Sequence, residues 1–241
     1  MKIVAIIQAR MGSTRLPGKV LTDLGGETVL ARVVRRVQRS KSLIATVVAT
    51  TTLPEDDVIA SESHRLGVGC YRGAENDVLD RYYQAALADG ADLIMRITAD
   101  CPVIDPEVID HCVDLLLGED ADYATTDVPE TIARGLDVEV FTAQGLRRCW
   151  QEASAPYQRE HVTPYFYEHP ELFRLTYLKS ELDCRQYRWT LDTPDDLRLL
   201  REIYREFQGA ATFSWREIVD LMRRRPELLE WNAQVVQKQV Q

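Results

Sequence analysis

Three cations and two carboxylates are spaced in this sequence as a phosphate-binding and metal-binding site requires. The cations follow the first apolar run of the chain and are Arg10, Arg15 and Lys19. Gly12 and Gly18 lie in the same loop and permit positive φ and close backbone approach, so N–H groups and side-chain cations can converge on phosphate oxygens. The alternative is an ordinary strand-to-helix turn with solvated basic residues. The density of Arg, Lys, Gly and Ser directly after a first strand favours anion binding.

The two carboxylates, Asp100 and Asp192, each follow a predicted strand, at 91–98 and 187–191. Because ligands bind outside the carboxyl ends of the strands in open α/β sheets, both carboxylates should lie beside the opening loop. Mg²⁺ prefers oxygen ligands, takes one or two protein carboxylates and completes its shell with water and substrate phosphates. The pair therefore predicts Mg²⁺-assisted nucleotidyl transfer. A capping or turn role for each aspartate is the alternative.

An alternation of strands and helices must position these residues. The continuous apolar run at 3–7 predicts a buried strand, and a helix over 28–40 and a β-branched strand at 45–50 follow it. Together they form a βαβ unit, which must be parallel and right-handed. The sequence therefore predicts an α/β fold with a mainly parallel sheet.

A chain of 241 residues is long enough for one domain with a well-buried core. We expect a single domain, 1–241, because no linker or internal repeat interrupts it. From about residue 121 the alternation gives way to short strands and amphipathic segments. The core is accordingly expected at about 1–120 and 187–225, with 121–186 as an excursion from the sheet.

Positive charge is concentrated near the opening loop although the net charge is −9. Residues 1–41 contain nine Lys and Arg against two Asp and Glu. Four of these arginines share one face of the helix over 28–40, which we expect to be solvated; they are Arg32, Arg35, Arg36 and Arg39. The rest of the chain is strongly acidic and would repel a polyanion, so no nucleic-acid partner is expected.

Membrane and disulfide signals are weak. No apolar run approaches the roughly 18 residues of a membrane span, and the start of the chain lacks a secretory pattern. The five cysteines form no C-x-x-C pair and have no metal-ligand spacing, which favours reduced thiols used as small core residues. We therefore expect a cytoplasmic protein with no membrane span and no zinc site.

Four segments resemble the cytidylyltransferases that activate acidic sugars, the family of the CMP-deoxy-octulosonate synthetases and acylneuraminate cytidylyltransferases. Residues 9–19, ARMGSTRLPGK, resemble the family's signature loop and are the most specific match. Residues 96–102, RITADCP, look like its strand-end metal motif, and 191–196, LDTPDD, like its closing motif. Residues 159–165, REHVTPY, are similar to a helix of the spore-coat polysaccharide branch, to which the chain is nearest. The resemblance covers nearly the whole chain.

The resemblance implies a Rossmann-like three-layer nucleotidyltransferase fold, in which 121–186 forms a small α+β region for acceptor binding and homodimerisation. It also implies transfer of CMP from CTP to an acidic sugar or similar acceptor, with release of pyrophosphate, in surface polysaccharide or glycan biosynthesis. The octulosonate enzymes differ from this chain around 98–102, and the sialate enzymes differ at 13–16. These differences leave the acceptor open.

Individual roles follow from the same resemblance. The implied catalytic residues are Arg15 and Lys19 on the β and γ phosphates, and Asp100 and Asp192 as ligands of Mg²⁺. The residues implied to hold CTP are Gln8, Arg10, Gly12, Ser13, Arg15 and Lys19, with Asp77 near the nucleoside. The candidate acceptor contacts are Glu139, Arg159, His161 and Arg188, with Arg134 as a further cation.

A nucleotide-sugar-dependent glycosyltransferase of similar architecture is the alternative function. Such an enzyme usually has a strand-end D-x-D motif. The nearest pattern here joins Asp100 to Asp105, and Asp105 is expected to cap the next helix. A non-catalytic nucleotide-binding protein is a third hypothesis, for which paired strand-end acids would be unnecessary.

Overall fold

In the computed structural model, which describes residues 1–127, 132–210 and 212–237, seven strands form one sheet with helices on both faces. The strands are β1 (Ile3–Gln8), β2 (Ala45–Thr51), β3 (Gly69–Gly73), β4 (Leu93–Thr98), β5 (Tyr123–Thr125), β6 (Glu139–Thr142) and β7 (Leu175–Tyr177). The helices are α1 (Val29–Val37), α2 (Asp57–Leu66), α3 (Val78–Asp89), α4 (Pro106–Gly118), α5 (Ala143–Glu152), α6 (Pro156–His161), α7 (Pro164–Glu168), α8 (Pro194–Glu206) and α9 (Trp215–Arg224). The strand order is β3-β2-β1-β4-β6-β5-β7.

The first four strands are parallel, as the sequence predicts. β1 pairs with β2 on one side and with β4 on the other. Helices cover both faces of β1, so its apolar run is buried on both sides: Ile3 and Ile7 pack into one core, and Val4 and Ile6 into the other. The expected Rossmann-like three-layer α/β fold is therefore confirmed.

The segment 121–186 contributes three strands to the sheet, whereas the sequence predicts an excursion from it. It supplies β5, β6 and β7, and β6 lies antiparallel between β4 and β5. An unpaired β4 would expose a row of backbone N–H and C=O groups, and β6 satisfies them. Residues 128–131 of this segment lie outside the described residues.

The strand predicted at 187–191 is wrong. Among the described residues, this segment forms one isolated bridge, between Arg134 and Arg188, and it is not a strand of the sheet. Leu191 N–H donates to Asp100 O at 2.8 Å, which ties the segment to the loop after β4. Gly135 has φ +102, and a Cβ there would lie 2.6 Å from the carbonyl carbon of Trp189. Glycine is therefore needed where these two backbones meet.

The arginine face of α1 is not solvated as expected, because two of its members are buried. Arg36 is fully buried and Arg32 is 4% exposed. The Nε group of Arg36 donates to Ile104 O at 2.6 Å, and that of Arg32 donates to Leu24 O at 2.9 Å. These guanidinium groups connect α1 to neighbouring loops, so they stabilise the fold.

The predicted cap of α4 is confirmed, because Asp105 accepts from Glu107 N–H. Thr193 caps α8 in the same way, by accepting from Asp196 N–H. Four of the five cysteines are buried, namely Cys101, Cys112, Cys149 and Cys184, and Cys70 is exposed. Across the described ranges, no helix has both the length and the apolar character that a membrane crossing needs.

Candidate active site

The opening loop begins at the carboxyl end of β1 and is anchored by a buried carboxylate. Asp56 is 1% exposed, and its Oδ1 accepts from Met11 N–H at 2.7 Å. Gly18 N–H donates to Met11 O at 3.1 Å, and Gly18 has φ +69. The left-handed turn at Gly18 starts a short 3-10 helix, Lys19–Leu21, which directs Lys19 towards the ends of the strands.

A cleft of about 340 Å³ opens at the carboxyl ends of β1 and β4. The residues predicted to bind CTP line it with one exception; those present are Gln8, Arg10, Gly12, Ser13, Arg15 and Lys19. Asp100 and Asp192 also line it, so the structure brings together the loop and both predicted metal ligands. The exception is Asp77, which caps α3 and forms an ion pair with Arg159 at 2.6 Å.

Lys19 lies between the two carboxylates. Its Nζ is 2.8 Å from Asp100 Oδ2 and 2.8 Å from Asp192 Oδ1, and it donates to Leu191 O at 2.6 Å. Burial alone would lower the pKa of Lys19, but Asp100 and Asp192 outweigh burial and raise it. The ammonium group is therefore charged and fully hydrogen-bonded within the protein.

Asp192 is the most heavily paired carboxylate of the cleft. Besides Lys19, it contacts Arg15 Nη2 at 2.9 Å and Arg188 Nη2 at 2.6 Å. Burial favours the neutral carboxyl, but the cation of Lys19 and the hydrogen bond from Arg188 lower the pKa of Asp192. Asp192 is therefore ionised at neutral pH.

The donor set suits a hard cation. In the described ranges, no group of three or more His, Cys, Asp and Glu side chains is arranged to hold a metal. Mg²⁺ needs only one or two protein carboxylates when substrate phosphates complete its shell. Asp100 and Asp192 already direct one oxygen each at the same cation, the Lys19 ammonium. The two residues fit a phosphate-bound Mg²⁺, which would compete with Lys19 for these oxygens.

Of the predicted acceptor contacts, His161 lines the cleft, whereas the others form ion pairs with neighbouring side chains. Burial lowers the pKa of His161, so it is neutral at pH 7. Arg188 reaches the cleft only through Asp192 and also pairs with Asp196. Glu139 is buried, accepts from Tyr123 Oη at 2.6 Å and forms an ion pair with Arg96. Arg134 lies 3.6 Å from Asp127.

Sequence reasoning missed two titratable residues here. Asp137 lies beside Cys101, whose Sγ is 3.7 Å from Asp137 Oδ2, and burial followed by the charge of Asp127 raises the pKa of Asp137 to about 7. Arg81 lines the cleft from α3. Neither residue lies in a motif, and their positions depend on contacts between distant segments.

Residues 4–217 match the model of a protein family described as cytidylyltransferase. The chain belongs to the cytidylyltransferase family. It is 34% identical over 237 residues to the spore coat polysaccharide biosynthesis protein SpsF of Bacillus subtilis, covering 93% of this chain and 95% of that one. It is 33% identical over 164 residues to a 3-deoxy-manno-octulosonate cytidylyltransferase of an Anaeromyxobacter species, covering 66% of each.

The structure of a cytidylyltransferase from Leptospira borgpetersenii superposes on this one with a TM-score of 0.92. The two chains are 35% identical, and the match covers 99% of this chain and 100% of that one. The family resemblance read from the four sequence segments is confirmed, as is the prediction of a CTP-dependent nucleotidyltransferase.

Proposed function

We propose that this cytidylyltransferase uses Mg²⁺ to transfer CMP from CTP to an acidic sugar, releasing pyrophosphate, in the synthesis of a surface polysaccharide or glycan. One observation carries the proposal: Lys19 Nζ lies 2.8 Å from both Asp100 and Asp192 in the cleft that the signature loop lines. Two carboxylates around one cation, beside further cations, suit the charge of a nucleoside triphosphate bound with a metal.

In the proposed reaction, an acceptor hydroxyl oxygen attacks the α-phosphorus of CTP in line with the leaving group. The bond to the oxygen that bridges the α and β phosphates breaks, pyrophosphate leaves and the hydroxyl proton is released. Negative charge grows on the non-bridging and leaving oxygens, so nearby cations lower the barrier electrostatically. Asp100 and Asp192 would hold Mg²⁺, which when bound supplies positive charge to these oxygens.

Arg15 and Lys19 contribute cations from the loop. Arg15 already pairs with Asp192 at 2.9 Å, so it is held at the cleft. The three donors of Lys19 are used within the protein, so a contact with the β and γ phosphates would replace at least one of these hydrogen bonds. Mg²⁺ held by Asp100 and Asp192 would compete for the same carboxylate oxygens.

On the acceptor side, His161 is the residue that the cleft geometry supports. Its imidazole is neutral at pH 7 and can hydrogen-bond a sugar hydroxyl or carboxylate. Arg159 is occupied by Asp77 and Glu139 by Arg96, so we assign both pairs to the support of the cleft wall.

We further propose that the region 121–186 forms a homodimer interface.

The proposal is tested by pyrophosphate release from each nucleoside triphosphate, with Mg²⁺ and a panel of acidic sugars. We expect release from CTP only, with an acidic acceptor, and loss of release when EDTA is added. No release from any triphosphate, together with consumption of a nucleotide-sugar, would overturn the proposal in favour of a glycosyltransferase.

A further inference from the structure

Two buried side chains of opposite hydrogen-bonding character line the cleft and have polar atoms with no partner among the described residues. Arg81 is 3% exposed, and among the described residues its Nε and Nη1 groups have no acceptor within hydrogen-bonding distance. Gln8 Oε1 is likewise buried and, within the same ranges, has no donor. Both residues line the cleft. A buried guanidinium that lacks an acceptor is costly, so each such group calls for an explanation.

Arg81 and Gln8 lie on adjoining elements. Gln8 ends β1, and Arg81 is on α3, whose next residue, Tyr82, donates from Oη to Ile6 O of β1 at 3.1 Å. The stem of Arg81 is confined by Gly73, where a Cβ would lie 2.7 Å from Arg81 Cγ. The guanidinium is thus held beside the carboxyl end of β1.

Nearby carboxylates do not satisfy Arg81, because they are engaged elsewhere. Asp56 accepts from Met11 N–H and from the hydroxyl of Thr51, and Glu75 lies 3.5 Å from Arg10. Burial, and to a smaller extent the charge of Arg10, lowers the pKa of Arg81, although Tyr82, Asp56 and Glu75 partly oppose this. The donors of Arg81 remain available to a ligand in the cleft.

We propose that Arg81 and Gln8 read the nucleobase, with Arg81 donating to the pyrimidine O2 and N3 acceptors and Gln8 Oε1 accepting from the exocyclic amine. This assignment rests on the proposed function, which places a cytidine nucleotide in the cleft. Cytosine offers two acceptors and one amine donor on this edge. Uracil offers N–H at position 3 and a second carbonyl at position 4, so it opposes a donor to Arg81 and an acceptor to Gln8. The pair therefore selects cytosine over uracil.

The test is calorimetric titration of the full chain with nucleoside monophosphates, which lack the β and γ phosphates. We expect CMP to bind about tenfold to a hundredfold more tightly than UMP, as for other hydrogen-bonded base contacts. Two CMP analogues isolate the contacts in the unmodified protein. One has carbon in place of N3, and the other lacks the amine at position 4. Both should bind more weakly than CMP.

Variants assign each contact to its residue. Arg81→Met should bind CMP and the analogue without N3 equally, and Gln8→Ala should bind CMP and the analogue without the amine equally. Gly73→Ala, which displaces the stem of Arg81, should lower the preference for CMP in the same direction. Arg15→Met is the matched control: it removes a cleft cation assigned to phosphate, so it should weaken CTP binding and keep the preference for CMP over UMP.

The outcomes separate this inference from the proposed function. Pyrophosphate release from CTP, together with equal binding of CMP and UMP or an unchanged preference in Arg81→Met and Gln8→Ala, would overturn the base-reading role alone. Absence of nucleotide binding and of pyrophosphate release would overturn both. Loss of discrimination confined to the matching analogue in each variant would support the assignment.

Discussion

Arg36 and Arg81 are both buried arginines on helices of the first half of the chain, yet their surroundings differ completely. Arg36 on α1 donates from Nε to Ile104 O and from Nη2 to Phe213 O at 2.6 and 2.9 Å, and Phe213 packs on its guanidinium. Arg81 on α3 faces the cleft, and its Nε and Nη1 have no acceptor in the described part of the chain. The partners of a buried cation, and not its burial, distinguish a group that holds the fold from one that awaits a ligand.

The same distinction separates two clusters of charge. The α1 cluster, Arg32 and Arg36, is bound mainly by main-chain carbonyls, whose positions are set by the fold. In the cleft, Lys19 is bound chiefly by the carboxylates of Asp100 and Asp192, for which a metal and phosphates can compete. The first cluster should therefore matter for stability and the second for turnover.

The largest expected effect is on turnover. Asp100→Asn and Asp192→Asn should each lower the rate of pyrophosphate release by about a thousandfold, because the charge that would hold the metal is lost. Both variants should remain folded by circular dichroism. Asp105→Asn is the control, since Asp105 lies 3.7 Å from Arg36, outside the cleft. It should lower stability and keep turnover. Full turnover in Asp100→Asn would remove that residue from the metal site.

The next effect is on stability. Arg36→Met should lower the free energy of unfolding by about 3 kcal/mol, because buried carbonyls and Asp105 lose their partner. Arg35→Met, on the exposed side of the same helix, removes a surface ion pair with Glu27 and should cost less than about 1 kcal/mol. Urea unfolding measures both changes. Equal losses in the two variants would break the distinction between buried and exposed members of the helix.

A smaller effect is expected for Arg81→Met. The Nε and Nη1 groups give up no hydrogen bond to the described residues, so the replacement should not lower the free energy of unfolding by more than about 1 kcal/mol. The same urea titration compares it with Arg36→Met. A loss as large as that of Arg36→Met would show that Arg81 is a structural group and would contradict the comparison.

The last prediction concerns pH. Burial, followed by the negative charge of Asp127, raises the pKa of Asp137 from 3.8 to about 7 in the folded protein. The unfolded chain releases this proton at lower pH. The stability that protonated Asp137 contributes is therefore lost as the pH rises from 3.8 to about 7. Asn resembles the protonated carboxyl, and Asp137→Asn should gain stability relative to the parent between about pH 5 and about pH 8. A constant difference between these two pH values would contradict the raised pKa.

Local signals in the sequence predicted much of the fold and the centre of the site. The apolar run of β1, the Asp105 and Thr193 caps and the loop that contains Lys19 are all specified by neighbouring residues. The rule that ligands bind at the carboxyl ends of parallel strands predicted that Asp100 lies beside the loop of Lys19, as the structure shows. Asp192 also lies beside Lys19 as predicted, but it does not follow a strand. The segment before it is hydrogen-bonded to Asp100 without joining the sheet.

Features that depend on distant contacts could not be read from the sequence. Short strands were predicted after residue 121, but their order in the sheet was not, because β6 pairs with β4 through residues far apart along the chain, such as Arg96 with Glu139. A charged periodic face predicts solvation, but the acceptors of Arg36 lie 68 and 177 residues away and reverse that expectation. Arg81 lies in no sequence motif, and only the structure shows that its Nε and Nη1 have no acceptor among the described residues.

The most direct test of the comparison is a crystal structure of this cytidylyltransferase with a non-hydrolysable CTP analogue and Mn²⁺, located by its anomalous signal. We expect Mn²⁺ between Asp100 and Asp192, Lys19 moved from these carboxylates to the phosphates, and the cytosine edge on Arg81 and Gln8, with Arg36 unchanged. Triphosphate bound away from the loop, or Lys19 still between both carboxylates with the metal elsewhere, would contradict the proposed site.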